Sequence, residues 1–319
     1  MAIELACIQA VRKPWGSLDL RPWSELRRDG DAIGELWFQR ADLAAPEPTL
    51  LLKLLFTTQP LSIQVHPDDA YAQSVGLKRG KTEAWYILSA APDAEVAIGL
   101  KRRLTPQQLR VSIEDHSISD LVQWRRVLKD DVVFVPAGTI HAIGPGLAIA
   151  EIQQRSDATF RLFDYGRQRE LHADKAVAAA NAGSPQRQSV RQRLTDVRTL
   201  LVASPQFILE LVDLPPKSNW KLNAERETWV LVLDGCAQIE LINASVGEAI
   251  FLEADSARIA VGPEGLTYLL AYLGPKPDPG LLQGADGWSA GAPLRDQPSS
   301  PPDHLITAGS PIRSMEART

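Results

Sequence analysis

Four side chains able to bind a cation stand in short, well-defined settings in the first half of the chain. Gln64 and His66 lie in Leu61-Ser62-Ile63-Gln64-Val65-His66, Glu83 follows Lys81-Thr82, and His141 ends Pro136-Ala137-Gly138-Thr139-Ile140-His141. Residues two apart on a strand share a face, so Gln64 and His66 can point at one ion. Two imidazoles, a carboxylate and an amide oxygen suit a borderline divalent ion, with zinc the leading candidate. A shell completed by water or substrate would make such a site catalytic. A single histidine in an apolar strand is more often a core residue than a ligand, and a buried Gln64 could simply pair with backbone. The weight lies in the four occurring together.

The elements that must position these residues read as β-strands. Apolar or alternating runs cover 34–38, 50–56, 61–66, 84–88, 94–100, 132–135 and 148–153, the last placing Glu151 and Gln153 on one face. Helix starts are expected at Asp68 and at Thr105-Pro106, where Thr is a natural N-cap and Pro fits the first helical position. Segments 117–122 and 172–181 also read as helical. A second strand-rich region covers 207–212, 228–233, 237–241, 249–252 and 268–272, with Asp234-Gly235 predicting a hairpin between its second and third runs. From about 275 to 319 the chain is dominated by Pro, Ser and Gly and is expected to be a tail, partly or wholly disordered. Many short strands with turn punctuation predict a mainly β protein of sandwich or jelly-roll type.

Composition narrows the function classes. The 319 residues are 45% hydrophobic and 23% charged, with a net charge of −5, enough for a sizeable core. No basic block stands out, so nucleic acid is not an expected partner. Cys7 and Cys236 are the two cysteines and form no CxxC pair, so a reducing cytoplasm is the expected setting. The first ten residues lack a signal-peptide pattern and no apolar run approaches membrane-spanning length, so no membrane partner is expected. The oligomeric state is left open.

Four blocks carry a family resemblance: 60–68, 80–86, 135–142 and Glu151-Ile152-Gln153-Gln154-Arg155-Ser156-Asp157-Ala158-Thr159-Phe160-Arg161-Leu162-Phe163-Asp164-Tyr165. Through them the chain resembles the zinc-dependent mannose-6-phosphate isomerases of the cupin superfamily, in their short bacterial form, from about residue 10 to 272. Lys13-Pro14-Trp15-Gly16 adds weak support. The resemblance implies a catalytic cupin jelly-roll over 1–180 with N-terminal strands and a small helical insertion. A second, non-catalytic cupin-like β region over 181–274 would follow, and then the tail 275–319. It places one zinc ion on Gln64, His66, Glu83 and His141, Lys81 and Glu151 in the pocket, and Arg161 beside the reacting carbons. Residues 200–272 contain no histidine, which excludes a second site of this kind.

The implied activity is an aldose–ketose isomerisation of a small sugar phosphate, mannose 6-phosphate to fructose 6-phosphate, through a cis-enediol. Arg161 would stabilise the enediolate. Glu151, Lys81 and a metal-bound water are the candidate bases; Glu151 is favoured for proton transfer, with Lys81 binding or polarising and a pKa that a nearby ion could lower. Ser62, Lys81 and Arg155 are the candidate phosphate contacts. Arg161 could instead pair with Asp157 or Asp164, Lys81 could be a solvated loop lysine, and Glu151 could support a ligand. His116, His172 and His304 lack motif partners and are expected at the surface. Two other functions compete. An iron oxygenase is disfavoured by the glutamine ligand and the Arg161 block, and a non-catalytic sugar-phosphate-binding or regulatory cupin is disfavoured because no ligand is missing.

Overall fold

The computed structural model describes residues 2–26, 31–42, 44–182 and 190–284. Its frame is three antiparallel sheets. A five-stranded sheet runs in the order Phe160–Phe163, Ile63–Val65, His141–Ile143, Glu95–Leu100, Val122–Arg126. A six-stranded sheet runs Cys7–Ser17, Ile33–Gln39, Leu50–Thr57, Leu147–Gln154, Glu83–Ala90, Val132–Val135. Together they form the expected β-sandwich. Its apolar core takes Leu55, Trp85, Ile87, Val133 and Ile149 from one sheet and Val96, Ile98 and Ile143 from the other.

The six-stranded sheet is buried on both faces, which explains why Leu50–Thr57 and Leu147–Gln154 are buried along their whole length. Leu50, Leu52, Leu54 and Phe56 face outward onto a ten-stranded sheet, with Tyr86, Leu88, Ala150 and Ile152, and meet Phe207, Leu209, Trp229 and Phe251. The alternate parity faces into the sandwich. It carries the polar residues: Glu35 and Trp37, Lys53, Glu83, and Glu151 with Gln153. One row of cross-strand neighbours runs Gln9, Trp37, Lys53, Glu151, Trp85, Val133.

The ten-stranded sheet is the second β region. Its 19-residue strand Asp255–Leu273 pairs with Asn219–Ala224 through 255–260 and with Phe207–Leu214 through 266–273, so the sheet folds over on itself. Trp220, Leu222, Val230, Ile259, Leu270 and Tyr272 fill the fold.

The helical insertion packs Leu109, Ile113, Ile118 and Ala176 against Ile63, Val65, Ala142 and Leu162 of the five-stranded sheet. Thr105 caps Pro106–Glu114 with a full capping box, and Asp68 accepts from the Tyr71 N–H at the start of Asp69–Ser74. No helix among the described residues is long and apolar enough to cross a membrane.

Three expectations need correction. Asp234-Gly235 does not turn a hairpin: Thr228–Ile239 is one strand, bulged there, and the chain reverses after Ile239 into Ile242–Ser245. Gly235 adopts φ 74° and its α-carbon faces the Gly265 carbonyl so closely that a Cβ would meet it at 2.1 Å. The dipeptide therefore supplies a bulge for the long neighbouring strand rather than a turn. Ala2–Leu5, read with the first region, pairs with Ala249–Glu253 of the second sheet. Within 275–319, Leu281 and Leu282 are buried and Leu282–Gly284 pairs with Asn219–Ala224; residues 285–319 lie outside the described ones.

Candidate functional site

The two sheets of the sandwich present their polar residues to a cavity of about 420 Å³. From the five-stranded sheet, Arg161, Gln64 and His141 are direct cross-strand neighbours. Glu83 opens the facing strand Glu83–Ala90. Its Oε1 lies 3.3 Å from His141 Nε2 and its Oε2 lies 3.5 Å from His66 Nε2. The ligand atoms of His66, Glu83 and His141 all fall within 4.8 Å of one another, and all three residues are buried.

The local sequence builds this convergence. Gly138 takes φ 83° in the Pro136 turn, and its N–H donates to the His66 carbonyl at 2.7 Å. The turn thereby sets the Thr139 carbonyl 2.8 Å from His141 Nδ1, and the Ala158 carbonyl is 2.7 Å from His66 Nδ1. Thr82 joins three of the motifs. Its N–H donates to Gln154 Oε1, its carbonyl accepts from the Gln154 N–H, and its hydroxyl oxygen accepts from the Ala137 N–H.

These contacts decide the state of the rings. Burial, with the Lys81 charge, holds His66 well below its ordinary pKa. Burial also pushes His141 down to about 4, the Thr139 carbonyl opposing and Lys81 assisting. Both rings are therefore neutral, donate Nδ1–H to a carbonyl, and turn an Nε2 lone pair toward Glu83. His66 Nε2 is buried without a hydrogen-bond partner. A divalent ion would satisfy it. Gln64 turns Nε2 to His141 Nε2 at 3.2 Å, while Ser62 Oγ donates to Gln64 Oε1 at 3.1 Å. Turning the amide over would offer its oxygen instead, and a serine hydroxyl can partner either orientation. The donor set fits a borderline ion such as zinc.

Opposite the triad lies a buried ladder of charge. Lys81 Nζ is 3.0 Å from Glu83 Oε2 and 3.9 Å from Glu151 Oε1, and Lys53 Nζ is 3.2 Å from the same Glu151 oxygen. Lys53 also sits over the Trp37 ring, whose Nε1–H donates to Glu35 Oε2 at 2.5 Å, and Lys13 pairs with Glu35 at 3.4 Å. Burial opposes the Lys81 ammonium, but Glu83 and Glu151 outweigh it and lift its pKa to about 12. The lowered value expected from the sequence needs an ion beside it. The two unassigned carboxylates diverge. Burial raises Glu151 above its ordinary value against the pull of Lys53, whereas at Glu35 the charges of Lys53 and Lys13 overcome burial and lower it.

Ser62, Gln64, Lys81, Glu83, Glu151 and Arg161 all line the cavity. Arg161 pairs with neither Asp157 nor Asp164. The Asp164 carboxylate is taken by Arg167 and Arg169, and Arg161 Nε is buried without a partner. Arg155 is not brought to the cavity. Its guanidinium donates to the Leu50 carbonyl and Gln39 Oε1 and lines a neighbouring groove with Arg79 and Lys78. The cause is the end of the strand: Leu147–Gln154 stops one residue short of Arg155, whose N–H donates to the Thr49 carbonyl, so the alternation no longer directs its side chain. Sequence reasoning missed Lys53, Glu35, Lys13, Arg169 and His172. A lysine inside Leu50–Phe56 was the available signal, because an apolar strand rarely carries an unpaired buried cation. His172 lines the cavity rather than the surface.

No family model matches the chain. Mannose-6-phosphate isomerase ManA of Bacillus subtilis is 37% identical over 183 residues, 53% of this chain and 58% of that protein. The mannose-6-phosphate isomerase of Streptococcus mutans is 38% identical over 166 residues, 49% of this chain and 52% of that one. The matches thus span little more than half the length of these curated relatives. In structure, the mannose 6-phosphate isomerase from Bacillus subtilis superposes with a TM-score of 0.75 at 24% identity, covering 86% of this chain and all of that chain. The fold is the cupin-type, mainly β architecture of that enzyme, built around a buried site that could hold a metal. The chain is thus similar to mannose-6-phosphate isomerases, in sequence over about half its length and in fold over most of it.

Proposed function

We propose that the chain is a zinc-dependent aldose–ketose isomerase that interconverts mannose 6-phosphate and fructose 6-phosphate through a cis-enediol. The observation that carries this reading is the buried His66–Glu83–His141 cluster, its two rings neutral and one ring nitrogen bare among the described residues, with Glu83 lining the same cavity as Glu151, a carboxylate of raised pKa. One zinc ion held by Gln64, His66, Glu83 and His141 would polarise the sugar's oxygens.

The remaining work falls to the chain's own groups. Glu151, raised by burial and steadied by Lys53, is poised to take a proton from one carbon and return it to the next. Arg161, with no ion pair among the described residues, supplies charge and donors to the developing enediolate. Lys81 and Ser62 hold substrate oxygens. Lys53 and Lys81 have side chains 6% and 8% exposed, whereas those of Lys13 and Arg169 are 30% exposed, so the latter two stand nearer solvent and suit the phosphate.

The test is a coupled isomerase assay on mannose 6-phosphate with metal counted before and after chelation. Turnover that chelation abolishes and zinc restores is the expected result. Metal-loaded protein that binds the sugar phosphate without turnover would replace this reading with a sensor.

A further inference from the structure

Phe160–Phe163 is the outermost strand of the five-stranded sheet, with Ile63–Val65 on its inner side. At Arg161 its outer edge is met by a single residue. The His172 N–H donates to the Arg161 carbonyl at 2.8 Å, and the Arg161 N–H donates to His172 Nδ1 at 3.2 Å. His172 thus supplies both hydrogen bonds that a neighbouring strand would give one residue. It occupies the N-cap position of the helix Ala173–Ala179 yet makes no side-chain capping bond; its acceptor is turned to Arg161 instead.

The helix holds this clamp in place. The His172 carbonyl accepts from the Ala176 N–H at 2.8 Å, and just beyond the other end the Asn181 N–H donates to the Gly138 carbonyl at 2.7 Å, in the turn before His141. The imidazole also packs on Phe160, ring centroids 6.1 Å apart. Among the described residues Arg161 itself has no ion pair, and its buried Nε has no partner. The reach of its guanidinium is therefore set by the backbone at 161, held by Ile63–Val65 on one side and by His172 on the other.

We infer that His172 is a positioning residue for Arg161, accepting the Arg161 amide on Nδ1 and so fixing the backbone from which the guanidinium enters the cleft. The consequence for kcat rests on the isomerase reading; the clamp does not. An asparagine Oδ1 can take the place of Nδ1 as acceptor without an ionisable ring, whereas phenylalanine keeps the ring shape and removes the acceptor.

The experiment compares wild-type holoprotein with His172→Asn and His172→Phe. It measures hydrogen exchange at the Arg161 amide, metal content, kcat and KM for mannose 6-phosphate. His172→Phe is expected to speed exchange at Arg161 by at least about 10-fold. It should lower kcat by up to about 10²-fold with metal content and KM near wild type. His172→Asn is expected to stay within about 3-fold of wild type on every measure. An Arg161 amide still protected in His172→Phe would overturn the inference, as would His172→Asn being as impaired as His172→Phe. If wild-type protein does not turn over mannose 6-phosphate, the isomerase reading fails while the exchange comparison still decides the clamp.

Discussion

In the ten-stranded sheet, Arg198 donates through Nε and Nη2 to the two oxygens of Glu210, both at 2.8 Å, and the Tyr272 hydroxyl donates to the same carboxylate at 2.5 Å. In the sandwich, His66 Nε2 and Arg161 Nε are also buried and have no partner among the described residues, and the carboxylates of Glu83 and Glu151 are shared among lysines along an open cavity. Both regions bury charge in a β framework. One closes its charges on each other and fills the remaining space with Trp220, Tyr268 and Tyr272, leaving only the Tyr268 hydroxyl over among the described residues. The other leaves valence open toward a space that a ligand can enter. A buried ion pair is thus not by itself a mark of function; the unspent donors and acceptors around it are.

The largest expected effect breaks the open side. His141→Ala should remove stoichiometric metal and lower turnover by at least about 10³-fold, with the second sheet intact. Metal analysis with the isomerase assay checks this, and retained metal would end the ligand assignment. Breaking the closed side should do the reverse. Arg198→Met leaves Glu210 buried without its counter-charge, only the Tyr272 hydroxyl still donating to it, a loss of roughly 3–5 kcal/mol read as a lower Tm, with kcat per bound metal unchanged. Replacing both partners with apolar residues, Arg198→Met with Glu210→Leu, should recover most of it. A stable Arg198→Met protein that has lost activity would put function in the second sheet. Arg161→Ala sharpens the comparison within the cleft: metal stays, Tm hardly moves, and kcat falls by about 10². A near-wild-type rate would remove Arg161 from the chemistry.

How much of this was legible follows from what the residues do locally. His66, Glu83 and His141 stood out because their motifs fix turns and strand starts, so type and spacing already implied convergence. The sandwich was legible because strand periodicity survives in a single sequence. Arg155 was misplaced because it shares the parity of the inward Glu151 and Gln153 but lies just past the end of their strand, where alternation stops and its guanidinium turns to the Leu50 carbonyl. His172 was invisible because its role rests on two hydrogen bonds to a backbone eleven residues earlier in the chain. The Asp234-Gly235 turn failed for a related reason: a partner strand of 19 residues runs past it, and tertiary pairing overrode the local signal.

The smallest expected effect probes why the charged ladder is open rather than closed. Lys53 lies 3.2 Å from Glu151 and exerts the largest pull against the burial that raises the Glu151 pKa. If ionised Glu151 moves the proton, kcat rises with pH through that pKa. Lys53→Met takes the pull away, so the carboxylate binds its proton to higher pH and the acid limb should move up by at least about one unit, with the plateau rate little changed. Glu35 loses the same neighbour but keeps Lys13 at 3.4 Å and the Trp37 Nε1–H at 2.5 Å, both of which favour its charged form. An acid limb that does not move when Lys53 is gone would mean that Glu151 is held as tightly as Glu210. The ladder would then be a second closed pair lying beside the site, and the proton would have to be carried by another group.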